Sequence, residues 1–279
     1  MQTTLNIIDV SSLMKTYYKN KFLPDFFCQI NGKTIPTKAL FGLFSIFKQI
    51  SLSEYIVFCA DSRISKRKQI CVEYKKNRKK ENEDYYYQID LGKSVLEKSG
   101  FNYLLKEGFE ADDLIASVAT NYSDDFKKIK IWSNDVDLAS LVNPKTEFIN
   151  IRSKAPNINR DNYEEVLKIP YNTLALYKAM VGDKADEIKG INRFGPKAFD
   201  AFISRVKQEY DLEIIRENNL EEEVLKKYLT DEKLITAQKC LNLVLPIKTE
   251  TRLLDNNIDK EFLIKALEAY EMKSIISNI

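Results

Sequence analysis

Histidine is absent from all 279 residues. That absence removes the commonest general base near neutral pH and the usual imidazole ligand of zinc, copper and iron. The four cysteines, Cys28, Cys59, Cys71 and Cys240, form no CxxC pair, which argues against a zinc ribbon. No signal-like leader and no apolar run of membrane-spanning length occurs, so the expected setting is a reducing cytoplasm, with no membrane partner. Glycine and proline are sparse, at eight and seven, and neither a repeat nor a low-complexity tract is present. With 44% hydrophobic residues the chain can bury a full core, in one large domain or two smaller ones. Magnesium or manganese remains as the expected metal.

Carboxylates are clustered on three short motifs. GFEADDLIASVA carries Glu110, Asp112 and Asp113; SNDVDLASLV carries Asp135 and Asp137; GDKADEIKG carries Asp183 and Asp186. Asp9 follows the strand-like LNII, and Asp61 follows YIVFCA. Each motif alone has a local explanation, because acids are favoured in first helical turns and in turns generally. Together they place nine acids at the ends of predicted strands or the starts of predicted helices, where open α/β sheets put their sites. So much clustered negative charge is stable around hard cations. Two ions roughly 3.5–4 Å apart, the arrangement of phosphoryl-transfer sites, would use six to nine such acids directly or through water. Without histidine, Mg²⁺ is the expected ion, with Mn²⁺ able to replace it.

The formal charge of +2 hides an asymmetry. Arg63, Lys66, Arg67, Lys68, Lys75, Lys76, Arg78, Lys79 and Lys80 face one acid, Glu73, so this run carries +8 and the remainder about −6. A basic strip beside an acidic site suits a polyanion whose phosphates are received through metal ions. The alternative for this run alone is a solvated lysine-rich helix.

Short apolar strands alternate with helical stretches through the first half: Leu5–Val10, a helix at 38–50, Tyr55–Ala60, a helix at 89–99, Asn102–Leu105, a helix from Ala111, and Ile129–Trp132. That order predicts a parallel α/β sheet, with Glu147–Ile151 as an edge strand. After about Ser153 the pattern is helical, beginning with 161–167 and 171–181. The segment from Lys66 to Gly100 is longer than an ordinary connection, which marks it as functional. GINRFGPKAF adds Gly190 and Gly195, which allow close approach of backbone to a phosphate, with Pro196 able to start a helix and Lys197 in its first turn.

Taken in order, LNIIDVSSL, VEYKKNR, GFEADDLIA, SNDVDLASLV and GDKADEIKGINRFGPKAF resemble the 5′-nuclease family: flap endonucleases, stand-alone phage 5′-to-3′ exonucleases and the nuclease domain of bacterial DNA polymerase I. The similarity runs from about residue 5 to 205. It implies an α/β fold with a PIN-like sheet flanked by helices, a helical arch and a helical C-terminal half with a helix-hairpin-helix. The expected boundaries are 1–153 for the nuclease core, with the arch inserted at about 66–100, and 154–279 for a helical region that completes the metal site and carries the DNA-binding element.

By position, the resemblance implies that Asp9, Asp61, Glu110, Asp112 and Asp113 serve one metal and Asp135, Asp137, Asp183 and Asp186 the other. YKKNR matches the family's YKxNR, so Lys75 and Arg78 are implied to engage the scissile phosphate and Tyr74 to stack near the 5′ end. Lys178 matches a basic position near the active site. Arg67, Lys76, Gly190, Arg193, Gly195 and Lys197 complete the expected nucleic-acid contacts. Spacing of i to i+3 would put Lys75 and Arg78 on one helical face. Tyr85, Tyr86 and Tyr87 are further candidates for stacking on unpaired bases. The family's GDxxDNIPGVxGIGPK is altered here: Glu187 replaces Asn, Lys189 replaces Pro and Arg193 replaces the middle Gly. The implied substrates are DNA with 5′ flaps or nicks, and RNA primers. A PIN-type ribonuclease and a DNA-binding protein with an impaired site are the competing readings.

Overall fold

The computed structural model describes residues 2–152, 154–217 and 220–279. In chain order its elements are β1 (Gln2–Asp9), α1 (Val10–Tyr18), β2 (Phe27–Ile30), β3 (Lys33–Pro36), α2 (Lys38–Phe44), β4 (Tyr55–Cys59), α3 (Arg67–Ile70) and α4 (Glu83–Lys98). There follow β5 (Asn102–Leu104), α5 (Ala111–Asn121), β6 (Phe126–Ser133), β7 (Thr146–Asn150), α6 (Tyr163–Leu167), α7 (Leu174–Val181) and α8 (Pro196–Val206). The last five are α9 (Leu212–Glu217), α10 (Glu221–Tyr228), α11 (Asp231–Val244), α12 (Lys260–Ala269) and α13 (Lys273–Ile276). Among the described residues, no helix is long and apolar enough to cross a membrane.

Two compact units result. The first comprises Met1–Arg63, Lys79–Asn157 and Lys248–Ile279; the second comprises Ile64–Arg78 and Ile158–Ile247. A five-stranded parallel sheet, ordered β5-β4-β1-β6-β7, forms the middle of the first unit. Every residue of β4 is buried, as a parallel strand covered on both faces requires. One face of the sheet packs Ile8, Ile56 and Phe58 with Phe44, Phe47, Tyr85 and Leu96. Helix α5 lies against β1 and β4 and buries Leu114, Ile115 and Val118. The edge strand expected at Glu147–Ile151 is present as β7, parallel to β6.

Sequence periodicity does not predict the β2–β3 hairpin, whose strands of four residues are too short to show alternation. Its signal is instead Asn31-Gly32, both with positive φ, 50° and 73°, the pair that two-residue hairpins favour. The expected domain boundary also changes: Ser153 itself lies outside the described residues, and the chain after Lys248 returns to the sheet unit. Leu263 and Leu267, four residues apart on α12, are fully buried in the core that holds Phe58 and Leu96. An amphipathic helix announces its apolar stripe but not which core will receive it.

The insertion at 66–100 differs from the implied arch as well. Only α3 and α4 are helical within it, residues 72–77 form turns, and its two parts belong to different units. Tyr74 is 3% exposed and packs with Ala179, Met180 and Ile188 in the helical unit's core. Arg67, also 3% exposed, donates Nε to Leu243 O at 3.0 Å and Nη2 to Leu245 O at 3.1 Å. An apolar ring and a satisfied guanidinium are what anchor this segment.

If α12 completes the sheet unit's core, Leu267→Ala should lower the unfolding free energy by about 2–5 kcal/mol, as for a buried leucine, rather than by the few tenths typical of a surface helix. Urea denaturation followed by circular dichroism measures the difference, and an effect below about 0.5 kcal/mol would place the helix on the surface.

Candidate active site

In the sheet unit, acids gather at the carboxyl ends of three adjacent strands. Asp9 closes the central strand β1 and caps α1: Oδ1 accepts Ser12 N–H at 2.9 Å and Oδ2 accepts Ser133 Oγ–H at 2.7 Å. Asp61 stands two residues beyond β4, and its Oδ1 accepts Ala111 N–H at 2.8 Å, at the first turn of α5. Asp135 stands two residues beyond β6, with Oδ1 accepting Asp137 N–H at 3.1 Å at the start of a 3₁₀ turn. Glu110 caps α5, and Asp113 Oδ2 accepts Glu110 N–H at 2.9 Å. Capping and clustering are thus the same event, because the bond that starts each helix also orients the carboxylate.

Burial makes this cluster electrostatically costly. Asp9 is 5% exposed, and its pKa is pushed up from 3.8 to about 7, first by burial and then by the charge of Asp61, with Asp135 adding to it. The two hydrogen bonds from Ser12 and Ser133 pull the other way. Cys59, buried beside them, has its thiol pushed well up by burial and by Asp9 and Asp112. Repulsion of this kind is what a divalent cation relieves, and an oxygen-only donor set suits a hard one. The residues therefore fit the implied metal.

A polar network that the motif reading misses fixes the exit of β6. Ser133 Oγ lies 3.1 Å from Ser12 Oγ and 3.0 Å from Asp135 N, while Asn134 donates its backbone N–H to Ser12 Oγ at 2.8 Å. The signal in the sequence was the serine in DVSS and the one in WSND, both small hydroxyls placed where a strand meets a carboxylate.

The helical unit holds the remaining candidates. Helix α7 ends at Gly182, and residues 183–188 form a closed turn, with Asp183 N–H donating to Ile188 O at 2.7 Å and Ile188 N–H to Asp183 O at 2.8 Å. Gly182 and Gly190 flank it at φ 96° and 67°, so close that a Cβ on Gly190 would meet Gly182 N at 2.5 Å. Gly190 is therefore required by backbone packing. Gly195 differs: a Cβ there would meet nothing within 4 Å, and the residue caps α8, with Pro196 at its first position.

Lys178, on the last turn of α7, places Nζ 2.5 Å from Asp183 Oδ2. Burial raises the Asp183 pKa, but Lys178 and the backbone N–H groups of Ala185 and Asp186 outweigh it and hold the carboxyl below its usual range. An oxygen of Asp183 lies within 4.8 Å of one of Asp186. Lys75 Nζ lies 3.6 Å from Asp186 Oδ2, and Arg78 Nη2 lies 2.6 Å from Asp186 Oδ1. The two cations meet as the i to i+3 reading anticipates, but by another route: Lys75 has φ 51° and sits in a turn, not a helix. Lys76 pairs with Glu73 at 3.2 Å on the surface, a contact worth little. Arg193 and Lys197 are exposed, and Arg193 adopts φ 57°, costing about 1 kcal/mol relative to glycine.

Three expected contacts are corrected. Tyr74 and Tyr85, at 3% and 1% exposed, are core residues and have no face for a base. Arg67 spends its guanidinium on main-chain carbonyls. Tyr87, 47% exposed, is the member of the tyrosine run that solvent reaches most.

Comparison with known proteins places the chain in a family. A family model described as "5'-3' exonuclease, N-terminal resolvase-like domain" matches residues 4–168. A 5'-3' exonuclease of Aquifex aeolicus is 36% identical over 203 residues, 70% of this chain and 66% of that protein. Another, from Mycoplasma genitalium, is 33% identical over 227 residues, 75% of each chain. A bacteriophage T5 flap endonuclease, solved as a pseudo-enzyme-product complex with DNA and metal ions, superposes with a TM-score of 0.62 over 99% of this chain and 98% of its own. At 17% identity that likeness is one of fold.

A carboxyl whose folded pKa exceeds its unfolded one stabilises the fold below the lower value and loses that contribution as pH rises through the higher. With EDTA present, melting temperature should therefore fall between pH 4 and pH 7, tracking the Asp9 shift from 3.8 to about 7. Asp9→Asn should flatten the fall and Mg²⁺ should reverse it. A wild-type profile in EDTA that matches that of Asp9→Asn would show that Asp9 carries no such strain.

Proposed function

Because the chain belongs to the 5'-3' exonuclease family, we propose that it hydrolyses phosphodiester bonds near the 5′ ends of DNA, acting on 5′ flaps, nicks and the ends of RNA primers in replication or repair. The observation that carries this reading is Asp9, buried at the centre of the sheet with Asp61 and Asp135 on the neighbouring strand ends. Such a cluster is costly unless it serves charge on a ligand.

Asp9, Asp61, Glu110, Asp112, Asp113, Asp135, Asp137, Asp183 and Asp186 are the residues that would hold two divalent ions, Mg²⁺ or Mn²⁺. When bound, such ions supply positive charge opposite the phosphate and make water a nucleophile near neutral pH. The chain's own groups do the rest. Ser12 and Ser133 hold both oxygens of Asp9 in place, so little reorganisation accompanies the reaction. Lys75 and Arg78 present an ammonium and a planar fork beside Asp186, a pairing suited to the equatorial oxygens of a phosphate under attack. Lys178 keeps Asp183 ionised.

DNA would be held by α7, the loop 182–195 and α8 acting as a helix-hairpin-helix element. Arg193 and Lys197 offer exposed charge, and the open space beside Gly195 lets a phosphate reach the N-terminus of α8. Lys76 adds general attraction.

A 5′-labelled flap substrate with Mg²⁺ should be cleaved, whereas single-stranded RNA of equal length should be a poor substrate. The pair Asp135→Asn and Asp137→Asn should abolish cleavage while leaving the fold intact by circular dichroism; full activity in that variant would overturn the metal assignment. Lys75→Ala should slow single-turnover cleavage by roughly 10²-fold or more, as for loss of one preorganised donor, with affinity changed only modestly. A large loss of affinity at an unchanged rate would reduce Lys75 to electrostatic attraction.

A further inference from the structure

Glu187 occupies the closed turn 183–188 with φ 61°. Glycine and asparagine adopt that backbone readily; glutamate does not. The turn gives no reason for a long acid at this position. Its partner does: one Glu187 oxygen accepts Asn77 N–H at 3.2 Å, and the other accepts Asn77 Nδ2–H. A carboxylate that takes both a main-chain and a side-chain donor of one residue fixes that residue's place and its orientation.

Asn77 lies between the two cations that reach Asp186. Lys75 Nζ is 3.6 Å and Arg78 Nη2 2.6 Å from that carboxylate, and Lys75 N–H points at Asp186 O across 3.5 Å. With φ 51° at Lys75 and turns through 72–77, no helix holds this stretch in shape. Tyr74 anchors it in the helical core, and beyond that residue adjacent acids of one turn hold it, Asp186 by the cations and Glu187 by the residue between them. Asparagine at 187 would be shorter by one methylene, about 1.5 Å, and would lose the reach.

We propose that Glu187 is a positioning residue, a latch on Asn77 that presents Lys75 and Arg78 together beside Asp186. The proposal rests on the reading that those two cations engage the scissile phosphate.

Three variants test it: Glu187→Asn, which suits the turn but lacks the reach; Glu187→Gln, which keeps the reach and, with the Asn77 side-chain amide turned over to accept the new amide N–H, keeps two bonds; and Asn77→Ala. Hydrogen exchange over residues 71–80 should quicken in Glu187→Asn by about tenfold or more and stay near wild type in Glu187→Gln. Single-turnover cleavage of the flap should fall about tenfold in Glu187→Asn, with substrate Kd within about twofold and melting temperature unchanged or raised. Glu187→Gln should recover most of the rate. Asn77→Ala added to Glu187→Asn should cost less than about twofold more, since both break one link. Unchanged exchange in Glu187→Asn overturns the latch. Faster exchange at an unchanged rate overturns its positioning role. If wild-type protein cleaves no flap with Mg²⁺ or Mn²⁺, the proposed function fails, and the exchange measurement still decides whether Glu187 holds Asn77.

Discussion

Negative charge forced into a dry place is the constraint on which the sheet unit is built. Asp9, Asp61 and Asp135 stand at the carboxyl ends of β1, β4 and β6, which are neighbours in the sheet. In water such acids would repel weakly; at a 5% exposed position the lost hydration, and after it the repulsion, push Asp9 to about 7. The fold tolerates this because each carboxylate has local work. Asp9 starts α1, Asp61 bonds the first turn of α5, and Asp135 starts the 3₁₀ turn after β6. Strand ends, helix starts and the acidic cluster are therefore one construction.

That construction also resolves the competing local explanations of the motifs. Each acidic motif can be read as a helix cap, and the hydrogen bonds show that several of them are caps. The reading fails only as an alternative to clustering. A cap constrains a carboxylate to the mouth of a helix, and helices that follow parallel strands all open toward the same edge of the sheet. Serine completes the geometry, since Ser12 and Ser133 are small enough to sit between strand end and helix start while donating to acids or accepting from main chain.

In the helical unit, five non-glycine residues have positive φ, and three of them, unlike Lys168 and Asn172, belong to the turns around Asp186 and the loop before α8. Lys75, Glu187 and Arg193 all have positive φ without being glycine. Such residues persist only where surrounding structure holds them. Gly182 and Gly190 supply that rigidity, packed backbone to backbone so that the turn between them has no room to change. On this base Asp186 gathers Lys75 and Arg78, and Lys178 keeps Asp183 charged.

Much of this was legible in the chain alone. Strand and helix alternation depends on period and composition, so the parallel sheet, its edge strand β7 and the acids at strand ends follow from residues such as YIVFC and LNIID read in order. Lacking histidine, the chain loses the usual imidazole ligand, and its clustered carboxylates point to a hard cation before any fold is known. Sequence alone did not determine which partner an amphipathic or basic segment finds. Arg67 and Tyr74 look like nucleic-acid contacts in a basic run, yet a carbonyl pair and an apolar pocket claim them. Leu263 and Leu267 carry a helix back to the sheet that its position in the chain does not indicate. Gly190 is needed for backbone packing against Gly182, whereas Gly195 faces open space. Local period decides what an element is; only tertiary packing decides what its side chains touch, because burial energy depends on the whole core and not on neighbours in sequence.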